Sequence, residues 1–301
     1  MSIDFQLNID QTPVQKIAHP ILAENNITLF VKRDDLTHPL ISGNKWRKLK
    51  YNLHYAHQNK ITNLLSFSGA FSNHLYALAG ASRLFGFNTE VIVRGPELDA
   101  NNPCLKFASA CGVKLTPVNR ITYRKRYEQD YLSELQTQRP DSLTIPEGGS
   151  NQLAMKGVIE LAQSLPHTDQ VWCAVGSGGT LAGLIEGLPS GTQIYGVAVL
   201  KQANYLNDEI QKLSLKAKQQ DNWHLFTEYH YGGYGKFTDE LWQFCQSMRA
   251  QLPLEPIYTG KLLFTIFSQI KQGVIKPNTR IMAIHTGGLQ GLTGLKYRKL
   301  I

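Results

Sequence analysis

Short apolar runs and helix-period segments alternate along almost the whole chain, and that rhythm leaves few folds open. Leu29-Phe30-Val31, Leu64-Leu65, Val91-Ile92-Val93, Val113 to Val118, Leu143-Thr144-Ile145, Val171 to Val175, Ile194 to Val199, Trp223 to Phe226 and Ile281 to Ile284 read as strands. Helical spacing begins near Lys45, Asn73, Cys104, Asn151 and Thr180, and single helices are predicted over Tyr123–Gln138 and Thr238–Arg249. Such alternation predicts an α/β protein built of open parallel sheets with helices on both faces. Ligands of these sheets bind beyond the carboxyl ends of the strands, where the glycine-rich turns of this chain fall. The 301 residues suffice for one large or two medium domains, and no repeat or low-complexity tract marks a boundary.

Several classes of function drop out. No apolar run approaches the roughly 20 residues of a membrane helix. Met1-Ser2-Ile3-Asp4-Phe5 lacks the regions of a secretory signal, so a cytoplasmic location and no membrane partner are expected. Cys104, Cys111, Cys173 and Cys245 are scattered without a C-x-x-C pair, which argues against a zinc site or a disulfide framework. The formal charge is +8, from 31 basic and 23 acidic residues, but the basic residues are spread out. Their densest group, Arg120, Arg124, Lys125 and Arg126, reads as a solvated face rather than a nucleic-acid patch. A mildly positive chain also suits anionic small substrates.

Chemistry concentrates in the turns. In Ser42-Gly43-Asn44-Lys45-Trp46-Arg47-Lys48 a loop becomes a helix at Lys45. The positive helix end and partial burial both disfavour the ammonium form, so this amine can act as a nucleophile near neutral pH. Such an amine suits an aldehyde cofactor, whereas a plainly solvated lysine would carry no chemistry. Gly176-Ser177-Gly178-Gly179-Thr180 joins a strand to a helix and fits an isolated phosphate. It is no P-loop, since no Gly-Lys-Ser/Thr follows. A dinucleotide loop, as in a nicotinamide-dependent oxidoreductase, is disfavoured by Leu181 in place of the third glycine and by the lack of an acid after Val199-Leu200. Lys48, one turn beyond Lys45, is a second phosphate candidate or a solvated lysine. Ser72 and Asn73 are either helix caps or groups for a substrate carboxylate and a cofactor oxygen, and His74 reads as structural or peripheral. Thr286, in His285-Thr286-Gly287-Gly288, can face a ring nitrogen, and Tyr234 and Tyr258 are acid–base, stacking or simply packed residues.

Together these segments match a family in order. Val31 to Asp35, Gly43-Asn44-Lys45, Ser72-Asn73-His74, the loop 176–180, Gly233-Tyr234-Gly235, Ile257 to Lys261 and His285 to Gly288 resemble the 1-aminocyclopropane-1-carboxylate deaminase and D-cysteine desulfhydrase family of pyridoxal-phosphate enzymes. The resemblance implies a tryptophan-synthase-β-like fold (fold type II), with a small domain over 48–148, a large domain over 1–47 and 149–301, and a homodimer. It implies that Lys45 binds pyridoxal 5'-phosphate covalently and that Gly176, Ser177, Gly178, Gly179, Thr180 and Lys48 hold the phosphate. Asn73 is then placed at the ring hydroxyl, Thr286 at the ring nitrogen, and Ser72, Tyr234 and Tyr258 on the substrate side. Cyclopropane-opening members align a glutamate with Thr259 and a leucine with Thr286, whereas desulfhydrase members carry hydroxyls as here. The expected activity is therefore elimination from a small amino acid such as D-cysteine, giving pyruvate, ammonia and sulfide. Deamination of 1-aminocyclopropane-1-carboxylate is the alternative.

Overall fold

The computed structural model describes residues 12–301, so the stretch read for a secretory signal lies outside the described residues. In chain order the strands are β1 (Val14–Lys16), β2 (Thr28–Lys32), β3 (Asn63–Gly69), β4 (Asn88–Arg94), β5 (Lys114–Val118), β6 (Ser142–Ile145), β7 (Gln170–Val175), β8 (Gln193–Ala198), β9 (Trp223–Phe226) and β10 (Arg280–Ile284). They form a six-stranded sheet, β1-β2-β10-β7-β8-β9, and a four-stranded sheet, β5-β4-β3-β6. Every pairing is parallel except β1 with β2, which is antiparallel. The parallel sheets are those expected, and the antiparallel edge adds to them a strand not read from the sequence. Val14–Lys16 is a three-residue, largely exposed strand and carries no apolar run to read.

Strands buried on both faces explain the continuous apolar runs. Along β7, Val171, Cys173 and Val175 face one core with Val158, Leu181 and Ile185, while Trp172 and Ala174 face another with Leu262 and Ile266. In the smaller sheet Val91 and Val93 pack with Leu49, Leu53 and Leu78, and Phe67 and Ile92 pack with Tyr123 and Leu135. No helix among the described residues is long and apolar enough to cross a membrane.

The predicted helix over Tyr123–Gln138 is broken. It consists of a helix Arg120–Arg124, a 3-10 turn Lys125–Tyr127 and a second helix Gln129–Gln138. Glu128 adopts an extended conformation between them. The break turns Tyr123, Arg126 and Tyr127 onto the single carboxylate of Glu147.

Three helices are pressed together beneath the turns that matter, Asn44–Gln58, Gln152–Ser164 and Gly179–Gly187. A Cβ on Gly157 would lie 2.0 Å from the carbonyl oxygen of Arg47, so only glycine lets the first two approach. The start of the first helix is fixed from behind. Asp34, fully buried, accepts from Arg47 Nε at 3.1 Å and Nη2 at 3.0 Å, and its backbone carbonyl accepts from Gly43 N–H at 2.8 Å.

Candidate active site

A cleft of about 1230 Å³ opens where the carboxyl ends of both sheets face one another. It is larger than the roughly 300–1,000 Å³ of ordinary ligand pockets. The turns after β3, β4, β6, β7, β8 and β10 all contribute to it. Lys45, Lys48, Ser72, Asn73, Gly176, Ser177, Gly178, Thr180, Tyr234, Tyr258 and Thr286 line it. Gly179 stands just behind, where a Cβ would meet Ser150 Oγ at 2.5 Å and Lys48 Nζ at 3.2 Å.

Lys45 is the second residue of its helix and is half-buried, with its Nζ 3.5 Å from the carbonyl oxygen of Gly148. Burial pulls its ammonium down to about 8, against the opposing pull of Glu147. Gly43 makes this geometry possible. Its φ is +69°, and a Cβ there would lie 1.9 Å from the carbonyl oxygen of Thr286. The next residue, Asn44, donates from its side chain to Thr180 Oγ1 at 2.8 Å, joining the lysine turn to the glycine turn.

The solvated alternative for Lys48 does not hold, because Lys48 is 2 % exposed. Its three protons are taken by Gly148 O at 3.3 Å, Ser150 Oγ at 2.9 Å and Ser177 Oγ at 3.2 Å. Burial, then the neighbouring Lys45, push it well below an ordinary lysine. Two ammonium groups therefore converge on one carbonyl, and neither belongs to any ion pair of the described residues. Beside them the helix Gly179–Gly187 begins, and its first N–H groups have no partner within the helix. Buried like charges, hydroxyls and a helix N-terminus in one place fit a phosphate.

His74 is not peripheral. It is 1 % exposed, lines the cleft and bonds through Nε2 to Ser66 Oγ at 2.8 Å. The Ser66 proton is committed to Ile145 O at 2.8 Å, so His74 Nε2 donates and Nδ1 is a bare acceptor. That Nδ1 has no hydrogen-bond partner among the described residues. Burial and the two lysines push the ring well below its usual range, which keeps it neutral. Ser72 caps its helix by accepting from His74 N–H at 3.1 Å, and Gln290 orients Asn73 by donating to its Oδ1 at 3.1 Å.

Tyr234 and Tyr258 line the same cleft, with ring centroids 6.0 Å apart and planes at 75°. Tyr258 lies over the glycine turn, its Cε1 3.2 Å from where a Cβ on Gly176 would be. Glu255, buried, accepts from the backbone N–H groups of Ile257, Tyr258 and Thr259 at 2.6–3.1 Å. Burial pushes its carboxyl up to about 7 against those three bonds. Lys261, also buried, donates to Gly233 O at 2.8 Å beside Tyr234, and burial lowers its ammonium to about 8. Thr259 is buried at the start of the helix Thr259–Lys271, with an Oγ1 that has no hydrogen-bond partner among the described residues.

Sequence reasoning missed several of these groups. Asn44 and Ser150 were readable as small polar residues within glycine turns. Glu147 had no local signal, because it acts on side chains brought in by tertiary packing, and the segment ending at Lys261 matches without revealing that Lys261 bonds the carbonyl of Gly233. The solvated reading of the basic group near 120–126 is corrected for Arg126, which donates from Nε to Glu147 at 2.6 Å and lines the cleft.

A family profile described as "Pyridoxal-phosphate dependent enzyme" matches residues 5–287. A Pyrococcus horikoshii protein named as a provisional 1-aminocyclopropane-1-carboxylate deaminase is 29 % identical, over 93 % of this chain and 90 % of its own length. An Arabidopsis thaliana protein named bifunctional D-cysteine desulfhydrase/1-aminocyclopropane-1-carboxylate deaminase, mitochondrial, is 28 % identical, over 93 % of this chain and 77 % of its own length. The crystal structure of an ACC deaminase homologue superposes with a TM-score of 0.81 at 27 % identity, covering 96 % of this chain and 94 % of that one.

Proposed function

The chain belongs to the pyridoxal-phosphate-dependent enzyme family, and from that premise we propose that it eliminates the β-substituent of a small amino acid, in the manner of a D-cysteine desulfhydrase. The observation that carries this reading is the pair Lys45 and Lys48, two amines outside every ion pair of the described residues, meeting at the Gly148 carbonyl among hydroxyls and a helix N-terminus. Lys48, Ser150, Ser177 and the turn 176–180 hold the phosphate, and Lys45 carries the reactive amine. Bound pyridoxal phosphate supplies an aldehyde for that amine and an electron sink for charge developing at the substrate α-carbon.

The chain's own residues do the rest. Lys45 is neutral often enough near pH 8 to exchange with a substrate amine and then to take the α-proton. Asn73, held by Gln290, lines the cleft and would bind the ring oxygen, and Ser72 would bind the substrate carboxylate. Thr286 would offer the ring nitrogen a hydroxyl, which would not enforce its protonation as a carboxylate would. Tyr234 and Tyr258 face the substrate side. Burial and its neighbour Tyr234 raise Tyr258 well above its usual range, so it serves as a proton donor or a wall rather than as a phenolate. With D-cysteine the α-proton leaves to Lys45, the Cβ–S bond breaks with its pair on sulfur, and water completes pyruvate and ammonia.

The hydroxyls of Thr259 and Thr286 favour this over opening a cyclopropane ring, although the Arabidopsis relative's name covers both activities. Incubating holoenzyme with D-cysteine, L-cysteine, D-serine and 1-aminocyclopropane-1-carboxylate separates them. Pyruvate from D-cysteine is expected. A keto acid from the cyclopropane substrate, with none from D-cysteine, overturns the choice.

A further inference from the structure

We propose that the cleft selects an amino acid bearing a second acidic group on its side chain, and that Arg94 and Arg298 read that group. This rests on the lyase reading above and specifies its substrate class. Arg94, Arg120, Lys201, Lys236 and Arg298 all line the cleft. Among the described residues none of the five takes part in an ion pair, whereas Arg126 and Lys212, also at the outer cleft, are matched by Glu147 and Glu209. The five come from both sheets. Arg94 ends β4 and Arg120 follows β5, while Lys201 follows β8 and Lys236 and Arg298 come from later in the chain.

The two arginines bracket the turn 69–73, which carries Ser72 and Asn73. Arg94 Nη2 lies 3.6 Å from where a Cβ on Gly69 would be. Arg298 lies 5.5 Å from the Phe71 ring centroid, with Nη1 3.5 Å from where a Cβ on Gly235 would be, beside Tyr234. Arg94 also rests 5.9 Å from the Tyr123 ring. An aromatic face steadies a guanidinium without neutralising it, so both forks keep their charge for a planar or tetrahedral anion. They are separate from the phosphate cradle, which uses Lys48, Ser150 and Ser177. A substrate with one carboxylate leaves this outer pair without a partner.

A β-sulfate or similar anion is also a competent leaving group. The proton leaves Cα, the Cβ–O bond breaks with its electron pair on the sulfate oxygen, and one water converts the released enamine to pyruvate and ammonium, with a proton set free.

The test compares holoenzyme turnover of both enantiomers of serine O-sulfate with those of 3-chloroalanine, whose side chain is uncharged. A ratio of kcat/KM of at least about tenfold in favour of the sulfate is expected at low salt, shrinking as salt rises. Arg94→Gln and Arg298→Gln should each lower that ratio by about tenfold. A ratio near one, or variants that leave it where it was, overturns the proposal. Calorimetric titration with succinate and propionate supplies a readout independent of turnover. Succinate should bind at least about tenfold more tightly, and the advantage should fall in both variants. Equal affinities refute the acidic-group proposal even if D-cysteine is turned over. Preferential succinate binding without turnover of any amino acid refutes the lyase reading instead.

Discussion

Replacing Lys48 by methionine isolates the phosphate contribution from the rest of the site. In the free protein Lys48 gives its protons to Gly148 O, Ser150 Oγ and Ser177 Oγ at 2.9–3.3 Å, all neutral acceptors. No anion among the described residues pairs with it, and burial disfavours its charged form until one arrives. A hydrogen bond between charged groups contributes about 1.5–3 kcal/mol, and about 1.4 kcal/mol is a factor of ten. Loss of the ammonium should thus weaken pyridoxal phosphate binding by roughly 10- to 150-fold. Free pyridoxal, which lacks the phosphate, is the internal control, and its affinity should change by less than about threefold. Equilibrium titration of the apoprotein, read by the quenching of tryptophan fluorescence, measures both. The apoprotein itself should not lose stability, because methionine fills the stem volume and removes a buried charge. Equal losses for the two ligands, or none for pyridoxal phosphate, would refute the placement of the phosphate at Lys48.

Further expectations concern the scaffold and pH. Gly43→Ala meets both a φ of +69° and a carbonyl 1.9 Å from the new Cβ, so the urea midpoint should fall by the equivalent of at least about 1–3 kcal/mol. Asp34→Asn leaves Arg47 buried without its carboxylate, and urea unfolding should show a loss of about 3–5 kcal/mol. Lys45 is protonated below about 8, so covalent attachment of the cofactor should slow about tenfold for each pH unit below that value and level off above it. Stopped-flow absorbance measures this, and a midpoint near that of an ordinary lysine would contradict the burial of the amine.

Much of the molecule is legible in the linear chain because its signals are local. Runs such as Val171 to Val175 announce strands buried on both faces, and each glycine turn follows its strand directly. The three-residue edge β1 escapes this reading because its pairing with β2 is decided by backbone partners rather than side chains. The broken helix after Arg124 escapes it too, since the partner its residues gather round is Glu147, 21 residues beyond Arg126. Lys48 is the sharpest case. Its spacing from Lys45 is plain, but its burial depends on Ser150 and Ser177, 102 and 129 residues away. Long-range partners turn an apparently solvated lysine into part of a cradle. The same holds for Lys261, which donates to Gly233 O 28 residues away, whereas Glu255 acts locally, on backbone N–H groups two to four residues further on.

Three lysines, Lys45, Lys48 and Lys261, have depressed ammonium groups, so electrostatics alone does not choose the reactive one. Geometry does, since Lys48 and Lys261 are buried and bonded to three and two acceptors, whereas Lys45 is half-buried in the cleft with one contact, to Gly148 O at 3.5 Å. Borohydride reduction of the pyridoxal-phosphate-loaded protein, followed by peptide mass mapping, puts that choice to the test. A single pyridoxyl adduct at Lys45, absent from Lys45→Ala, is the predicted result. An adduct at Lys48 or Lys261, or none at all, would contradict the account.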